Sequence, residues 1–489
     1  MQKCVLALDL GTTSNRCIAF NKQGHIVAQA YKEFEQIFPQ PAWVEHNPNT
    51  LWLSAFSVLH QVIELVGAEN VDSIGITNQR ETTVVWDAET SEPLCNAIVW
   101  QCRRTAQRCE ELKAYASLIK EKTGLFLDPY FSATKLEWIL NNIPNAKEKA
   151  AKGLLRFGTV DTWILWNLTH GKSHATDVSN ASRTLLFNIH TLQFDEELLN
   201  LFNIPKSVLP QVQPTGHVFG YTDPQFFHRD IPITCLVGDQ QAALFAHGGW
   251  QSNVVKNTYG TGLFVAASTG SSIPHTNRLI NTIAWQLNTQ VTYAVEGSIF
   301  MGGSIVQWLR DQLHLVQNSD ETEALARQLN SNDDVYLVPA FTGLGAPYWD
   351  PHARGLIIGL TRGTTAAHIV RAGLESMAYQ TRDVLEEMKA LGLHPKALHV
   401  DGGATSNAWL MQFQADILDL PVVRSKVAQT TAFGAALLAG LHSQFWSQED
   451  LGELSLKDLR FDPKMEKETR DLSLKKWKKA VERALQWAD

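Results

Sequence analysis

A carboxylate, a glycine turn and a run of hydroxyls stand together in Leu6-Ala7-Leu8-Asp9-Leu10-Gly11-Thr12-Thr13-Ser14. An apolar strand there lifts Asp9 to its end, where a carboxylate can meet the water shell of Mg²⁺. Gly11 lets the backbone turn closely, and the amides and hydroxyls of Thr12, Thr13 and Ser14 can donate to phosphate oxygens. Asp-x-Gly is also ordinary turn chemistry, so this stretch alone leaves two readings open. Two more glycine turns follow apolar runs, Gly260-Thr261-Gly262 and Gly402-Gly403-Ala404. The commoner phosphate motifs fail. Gly171-Lys172-Ser173 has Trp166 where a P-loop needs its first glycine, and Val265 stands where a dinucleotide fingerprint begun at Gly260 needs its last.

A second group of residues suits a small hydroxyl-rich molecule. Asn78-Gln79-Arg80-Glu81 follows the apolar run Val71–Thr77, and Asp239-Gln240 follows Ile233–Val237. Arg80 with Glu81 reads either as a surface ion pair or as a donor and acceptor set for a polyol. Asp239 reads either as a helix N-cap or as a catalytic base at a strand end.

The elements that must carry these groups are mixed α/β. Strands are expected at Cys4–Asp9, Asn15–Asn21, Val71–Thr77, Thr82–Asp87 and Ile233–Val237, the first ones as an antiparallel meander. Asn47 caps a helix with Pro48 at its first position and Gly67 beyond its end, burying Leu51, Trp52, Ala55, Leu59, Val62 and Val66. The second half repeats the grammar: strand Asn253–Tyr259, the Gly260–Gly262 turn, strand Leu263–Ser268, a helix from Gly302, a long helix over 365–391, and a strand at Ala397–Val400 feeding Asp401-Gly402-Gly403. Two domains are expected, 1–247 and 248–489, with nucleotide between them and a glycine hinge at His247-Gly248-Gly249.

Bulk properties narrow the class. The 489 residues are 44% hydrophobic with 15 Trp and a net charge of −8, as in a well-packed enzyme. The one basic run, Lys475-Lys476-Trp477-Lys478-Lys479, reads as a solvated helix face, so no nucleic-acid partner is expected. Six scattered cysteines suggest neither a disulfide framework nor a zinc site. No stretch is apolar enough to span a bilayer, and a cytoplasmic location is expected.

The three glycine turns, in this order, resemble the ATPase fold shared by actin, heat-shock chaperones and sugar kinases. Longer strings are similar to those of the glycerol kinases, a branch of the carbohydrate kinases. They include Asn78-Gln79-Arg80-Glu81-Thr82, Ile98-Val99-Trp100-Gln101-Cys102-Arg103-Arg104, Asp128-Pro129-Tyr130-Phe131-Ser132, Asn180-Ala181-Ser182-Arg183-Thr184 and Gly238–Ala243, and they run nearly the full length. The resemblance implies two duplicated actin-like (ribonuclease H-like) α/β ATPase domains with an interdomain cleft. It also implies Mg²⁺-dependent transfer of the ATP γ-phosphoryl group to glycerol, giving sn-glycerol 3-phosphate, in a homodimer or homotetramer.

By the same resemblance Arg80, Glu81, Tyr130, Asp239 and Gln240 hold glycerol's hydroxyls, Trp100 and Phe264 flank its carbons, and Asp239 is the catalytic base. Asp9 organises the metal. Thr12, Thr13, Ser14, Arg16 and Thr261 meet phosphate, and Gly303, Gln307, Gly403 and Asn407 line the rest of the nucleotide site. Relatives are controlled by fructose 1,6-bisphosphate at a glycine-bearing loop. The matching stretch Asp223–Asp230 has no glycine cluster, so that control is not expected. Two alternatives stay open: a kinase for another polyol or ketose, and an actin-like ATPase switch.

Overall fold

A computed structural model describes residues 2–251, 253–425, 429–454 and 459–488. The meander is present as β1 (Cys4–Leu10), β2 (Ser14–Asn21) and β3 (Ile26–Glu33), paired antiparallel. β1 is buried at every position but Asp9, as its unbroken apolar sequence requires. Asn47 caps α1 (Pro48–Val66), its side chain accepting from the amides of Asn49 and Thr50, and Gly67 closes it at φ 80°. The predicted stripe is buried except for Trp52, which is half-buried beside Phe56 and Phe226. Position 52 lies about 100° round the helix from Leu51, on the flank of the stripe.

The chain forms two compact units. Unit 1 comprises the described residues of Met1–Ala246, Asn281–Tyr293 and Gln429–Ser455. The last two segments lie beyond residue 248 in the chain and pack with unit 1. Helix Thr430–His442 packs across Val71–Asn78, β1 and helix Asp239–Ala246, burying a nearly all-apolar surface that would otherwise be in water. Two glycines permit that approach. A Cβ on Gly434 would sit 1.9 Å from the Ala242 carbonyl oxygen, and one on Gly75 would sit 2.5 Å from that of Ala435.

The sheet of unit 1 runs in the order Ile280–Leu287, Gly216–Tyr221, Pro232–Gly238, Val71–Asn78, β1, β2, β3. Its three central strands are parallel, and their ends coincide: Leu10 lies opposite Asn78, and Asn78 opposite Gly238. Each end is followed at once by a predicted site segment. The expected strand Thr82–Asp87 begins only at Val84, because Thr82 N–H bonds the Arg80 carbonyl at 2.7 Å and turns the chain there.

Unit 2 comprises the described residues of His247–Ile280, Ala294–Ala428 and Leu456–Asp489. Its sheet runs Leu459–Phe461, Val422–Arg424, Leu398–Asp401, Val255–Tyr259, Leu263–Gly270. Val255–Tyr259 and Leu263–Gly270 form the second predicted hairpin, and Leu398–Asp401 lies parallel to the first of them. The long helix Ala366–Ala390, capped by Thr365, covers this sheet with Val370, Leu374, Met377, Val384 and Met388. In the C-terminal helix Lys467–Ala484, Trp477 stacks on Tyr379 in the core, while Lys475, Lys478 and Lys479 face solvent. Among the described residues, no helix is long and apolar enough to cross a membrane.

Gly434→Ala forces a methyl group into a backbone carbonyl. It is expected to lower the stability of unit 1 by about 1–3 kcal/mol, the usual overpacking penalty. Urea denaturation followed by tryptophan fluorescence measures this, and an unchanged midpoint would show that the helix can shift freely.

Candidate functional site

The turn after β1 closes through a Gly11 N–H bond to the Ser14 carbonyl at 2.9 Å. Thr12 is half-buried, Thr13 exposed and Ser14 buried, and the Leu10 side chain is wholly buried away from the turn. Asp9 and Arg16 are register partners across β1 and β2. The Arg16 guanidinium bonds Gln429 Oε1, lies over the Tyr31 ring, and lines a cavity of about 460 Å³ with Ile18, Gln29, Ala30, Tyr31 and Gln429.

The segments after the other two strands meet in one buried cluster. Arg80, Glu81 and Arg183 are each 3% exposed or less. Arg80 Nε lies 3.3 Å from Asp239 Oδ1 and 3.7 Å from Glu81 Oε1. Its other nitrogens donate to Gln241 Oε1 at 3.2 Å and to the Tyr130 hydroxyl at 3.4 Å. Arg183 Nε donates to Glu81 Oε1 at 2.7 Å. Trp100 stands edge-on to Tyr130 with ring centroids 5.6 Å apart. Asp239 opens helix Asp239–Ala246, and Gln240 donates to its carboxylate from both backbone and side chain, at 2.7 and 3.2 Å. Glu81 adopts φ 60°, a left-handed conformation uncommon for a long side chain and typical of functional sites. Guanidinium, carboxylate, phenol and amide groups beside an indole edge form a set that can donate to and accept from several hydroxyls while walling off carbon.

Several supporting residues escaped the sequence reading. Neither spacing nor residue type in the sequence assigns a role to Arg183, Gln241 or Lys135. Lys135 is wholly buried, and its ammonium donates to the carbonyls of Pro129, Tyr130 and Phe131, the last two at 2.7 and 3.0 Å. Three consecutive carbonyls on one cation fix the loop that carries Tyr130. Asp128 adds a bond to the Tyr130 amide at 2.8 Å, and Ser132 ties the loop to the Glu81 carbonyl at 3.0 Å. Burial pulls the Lys135 ammonium from its ordinary 10.5 down to about 8, with Glu81 and Asp128 opposing.

Behind the strand ends lies a second buried network. Asp177 accepts from Ser179, Asn180 and Thr215. Ser179 Oγ in turn accepts the Gly238 N–H at 2.9 Å, directly before Asp239. Asn180 accepts from Asn78 at 3.0 Å, directly before Gln79. The Asp177 bonds to Ser179 and Asn180 are a local helix cap, whereas Thr215, Gly238 and Asn78 reach the network from 38, 59 and 102 positions away, where no local pattern marks them.

Burial pushes the Asp9 carboxyl up to about 6; Arg16 opposes the shift and the charge of Asp239 adds to it. A cation near Asp9 would relieve both penalties, so the residues present fit a hydrated metal ion. Among the described residues no group of three or more His, Cys, Asp or Glu could hold a metal. A hydrated Mg²⁺ takes oxygen ligands and keeps several waters, which is the kind of ion a single carboxylate such as Asp9 can meet.

In unit 2 the Gly260–Gly262 turn sits on the segment Gly302–Ser304. Gly302 N–H donates to the Thr261 carbonyl and Gly303 N–H to the Gly260 carbonyl, both at 2.8 Å. This brings Thr261 and Gly303 together, with Thr261 exposed. Gly402 has φ 93°, and a Cβ there would meet the Tyr259 carbonyl oxygen at 2.4 Å, so only glycine lets the two turns touch. Gly403 follows with open space around it. Asn407 caps helix Ala408–Leu418 through the Leu410 amide at 2.9 Å, and Gln307 is exposed on helix Gly303–Asp311. Phe264 is half-buried in the returning hairpin strand of unit 2, whereas the Arg80–Glu81 cluster is built within unit 1.

Comparison with known proteins supplies the wider frame. Residues 4–246 match the N-terminal domain of the FGGY family of carbohydrate kinases, and residues 255–443 match its C-terminal domain. The chain is 54% identical over 496 residues to glycerol kinase of Caldanaerobacter subterraneus subsp. tengcongensis, covering all of both chains. It is 55% identical over 492 residues to glycerol kinase 2 of Thermotoga maritima, covering 99% of each. Its structure matches Plasmodium falciparum glycerol kinase solved with ADP, at TM-score 0.92 and 36% identity over 99% of this chain and 98% of that one. The fold is that of the two-domain, actin-like sugar kinases.

The buried lysine gives a pH test. An unfolded lysine keeps its proton to about 10.5, while Lys135 releases its own near 8. Between those values the unfolded chain binds more protons, so this group makes stability rise with pH. Relative to Lys135→Met, the wild type is expected to gain at most about 1.4 kcal/mol per pH unit across that window. Parallel denaturation curves for the two proteins from pH 8 to 10.5 would remove Lys135 from this role.

Proposed function

The chain belongs to the FGGY family of carbohydrate kinases, and we propose that it is a glycerol kinase, transferring the γ-phosphoryl group of ATP to a terminal hydroxyl of glycerol. The products are sn-glycerol 3-phosphate and ADP. The observation that carries this reading is identity above one half with curated glycerol kinases over the full length of both chains. The Arg80–Glu81–Tyr130–Asp239 cluster supports it, because its closely spaced charged groups match a short triol and leave their own buried partners unmatched for a substrate lacking a hydroxyl.

In the proposed reaction glycerol's hydroxyls bond Arg80, Glu81, Tyr130, Asp239 and Gln240, with Trp100 and Phe264 against its carbons. Asp239 accepts the proton of the attacking hydroxyl. The oxygen bonds the γ-phosphorus in line as the bond to the β,γ-bridging oxygen breaks, and ADP leaves with that electron pair. Arg80, 3.3 Å from Asp239 Oδ1, and the two Gln240 donors hold the carboxylate in one orientation. Thr12, Thr13, Ser14 and Arg16 in unit 1 and Thr261 in unit 2 are proposed phosphate contacts. Gly303, Gln307, Gly403 and Asn407 are proposed to line the remainder of ATP. Mg²⁺, held by the phosphates with Asp9 meeting its water shell, would neutralise phosphate charge.

ADP release in the presence of Mg²⁺, measured with glycerol, dihydroxyacetone, D-xylulose, D-ribulose and no acceptor, tests the assignment. Turnover should be strong with glycerol and weak with the ketopentoses; acceptor-independent turnover would reject a kinase. Asp239→Asn is expected to lower kcat by about 10²–10⁴, the weight of a positioned base, and near-normal turnover would remove it from that role. Arg80→Ala should raise the KM for glycerol far more than that for ATP. Equal increases would indicate a structural role instead.

A further inference from the structure

Gln79 joins the two halves of the proposed chemistry in unit 1. Gln79 is 2% exposed, one position before Arg80. Its backbone N–H donates to the Leu10 carbonyl at 2.7 Å, and its Nε2 donates to the Gly11 carbonyl at 3.0 Å. The acceptors are the end of β1 and the first residue of the turn, immediately before Thr12. Its Oε1 accepts from the Thr82 hydroxyl at 2.9 Å. The Thr82 oxygen then accepts the Trp100 backbone N–H at 3.3 Å, and the Trp100 indole Nε1 donates to Thr12 Oγ1 at 3.0 Å.

These bonds close a ring: Gly11, Gln79, Thr82, Trp100, Thr12, and back to Gly11 through the chain. A carbonyl can only accept, so the Gly11 contact fixes which end of the Gln79 amide points where. Because Thr12 Oγ1 accepts from the indole, its own proton is left to be donated elsewhere, the state a phosphate oxygen requires. Thr82 lies just beyond Glu81, whose left-handed backbone and the tight Thr82–Arg80 bond leave this segment little slack. Movement of Trp100 or Arg80 is therefore carried into the turn at Gly11 and Thr12.

We propose that Gln79 is a positioning residue that couples occupancy of the polyol pocket to the phosphate-binding turn. This rests on the reading that Arg80, Glu81 and Trp100 hold glycerol and Thr12 meets the nucleotide. Bound glycerol orders the ring and presents Thr12 to phosphate, and bound nucleotide orders it in the reverse direction. The coupling must be equal both ways.

Calorimetric titration of the full chain tests it, using a non-hydrolysable ATP analogue with Mg²⁺ in the presence and absence of glycerol, and glycerol with and without the analogue. In the wild type each ligand should tighten the other by about fivefold or more, the lower end of typical coupling. In Gln79→Met, which keeps the volume and removes the side-chain hydrogen bonds to Gly11, Thr82 and His46, each ligand alone should bind within about threefold of wild type while the mutual factor falls to about one. Trp100→Phe, which keeps an aromatic wall but loses the indole donor, should also shrink the factor, and it decides the matter if Gln79→Met does not fold. Wild-type coupling that persists in the variants, or a wild type without coupling, overturns the inference. A wild type that binds the analogue but never glycerol overturns the functional reading instead.

Discussion

The common end-point of three parallel strands is the constraint on which the proposed site depends. Leu10, Asn78 and Gly238 share one register, so the segments that follow must leave the sheet side by side. Parallel strands buried on both faces cannot slip without exposing an apolar run to water, which makes that register costly to change. Helix Thr430–His442 locks it from one face through the Gly75 and Gly434 approach, and the Asp177–Ser179–Asn180 network ties two of the strand ends. Ligand groups gathered at the carboxyl ends of parallel strands follow the general rule for open α/β sheets.

The buried charges at those ends are poorly explained as stabilising elements. An arginine–glutamate pair with almost no solvent contact loses hydration on both partners, and replacement by apolar residues is often neutral or favourable. Here Glu81 also holds a left-handed backbone, and Lys135 carries a charge whose hydrogen bonds are to carbonyls alone. Costs of this kind concentrate where a site must be rigid before its ligand arrives. Arg183, Lys135 and Gln241 orient the groups that would face glycerol, which places preorganisation in the residues behind the pocket wall.

Unit 2 reaches a similar result with different means. Its two glycine turns pack against each other with no intervening side chain, since Gly402 lies on Tyr259 and Gly303 hydrogen-bonds Gly260. Backbone amides and a lone exposed threonine are thereby presented on a rigid base. The same fold serves solved gluconate and xylulose kinases at about 20% identity, so architecture alone does not choose a substrate. The residues after Val71–Asn78 and around Trp100 are the ones that separate glycerol from larger acceptors in the proposed function.

Much of this was legible in the sequence because the determining interactions are local. The Asn47 cap, the buried stripe of α1, the β1–β2 hairpin and the helix over 366–390 follow from spacing and cap chemistry between residues near in the chain. Long strings around Arg80, Trp100 and Asp239 likewise identified the candidate groups. Tertiary structure alone decided that helix Thr430–His442 packs with unit 1, since burial against a sheet leaves no mark on the burying segment beyond its own apolarity. It also decided the partners: Arg183 for Glu81, Gln241 for Arg80, Lys135 for the Tyr130 loop, and Trp100 for Thr12. Three of these pairs lie 88 to 161 positions apart, and their bonds require ångström distances between them. Sequence names the donors and acceptors, and only the folded register brings them within reach.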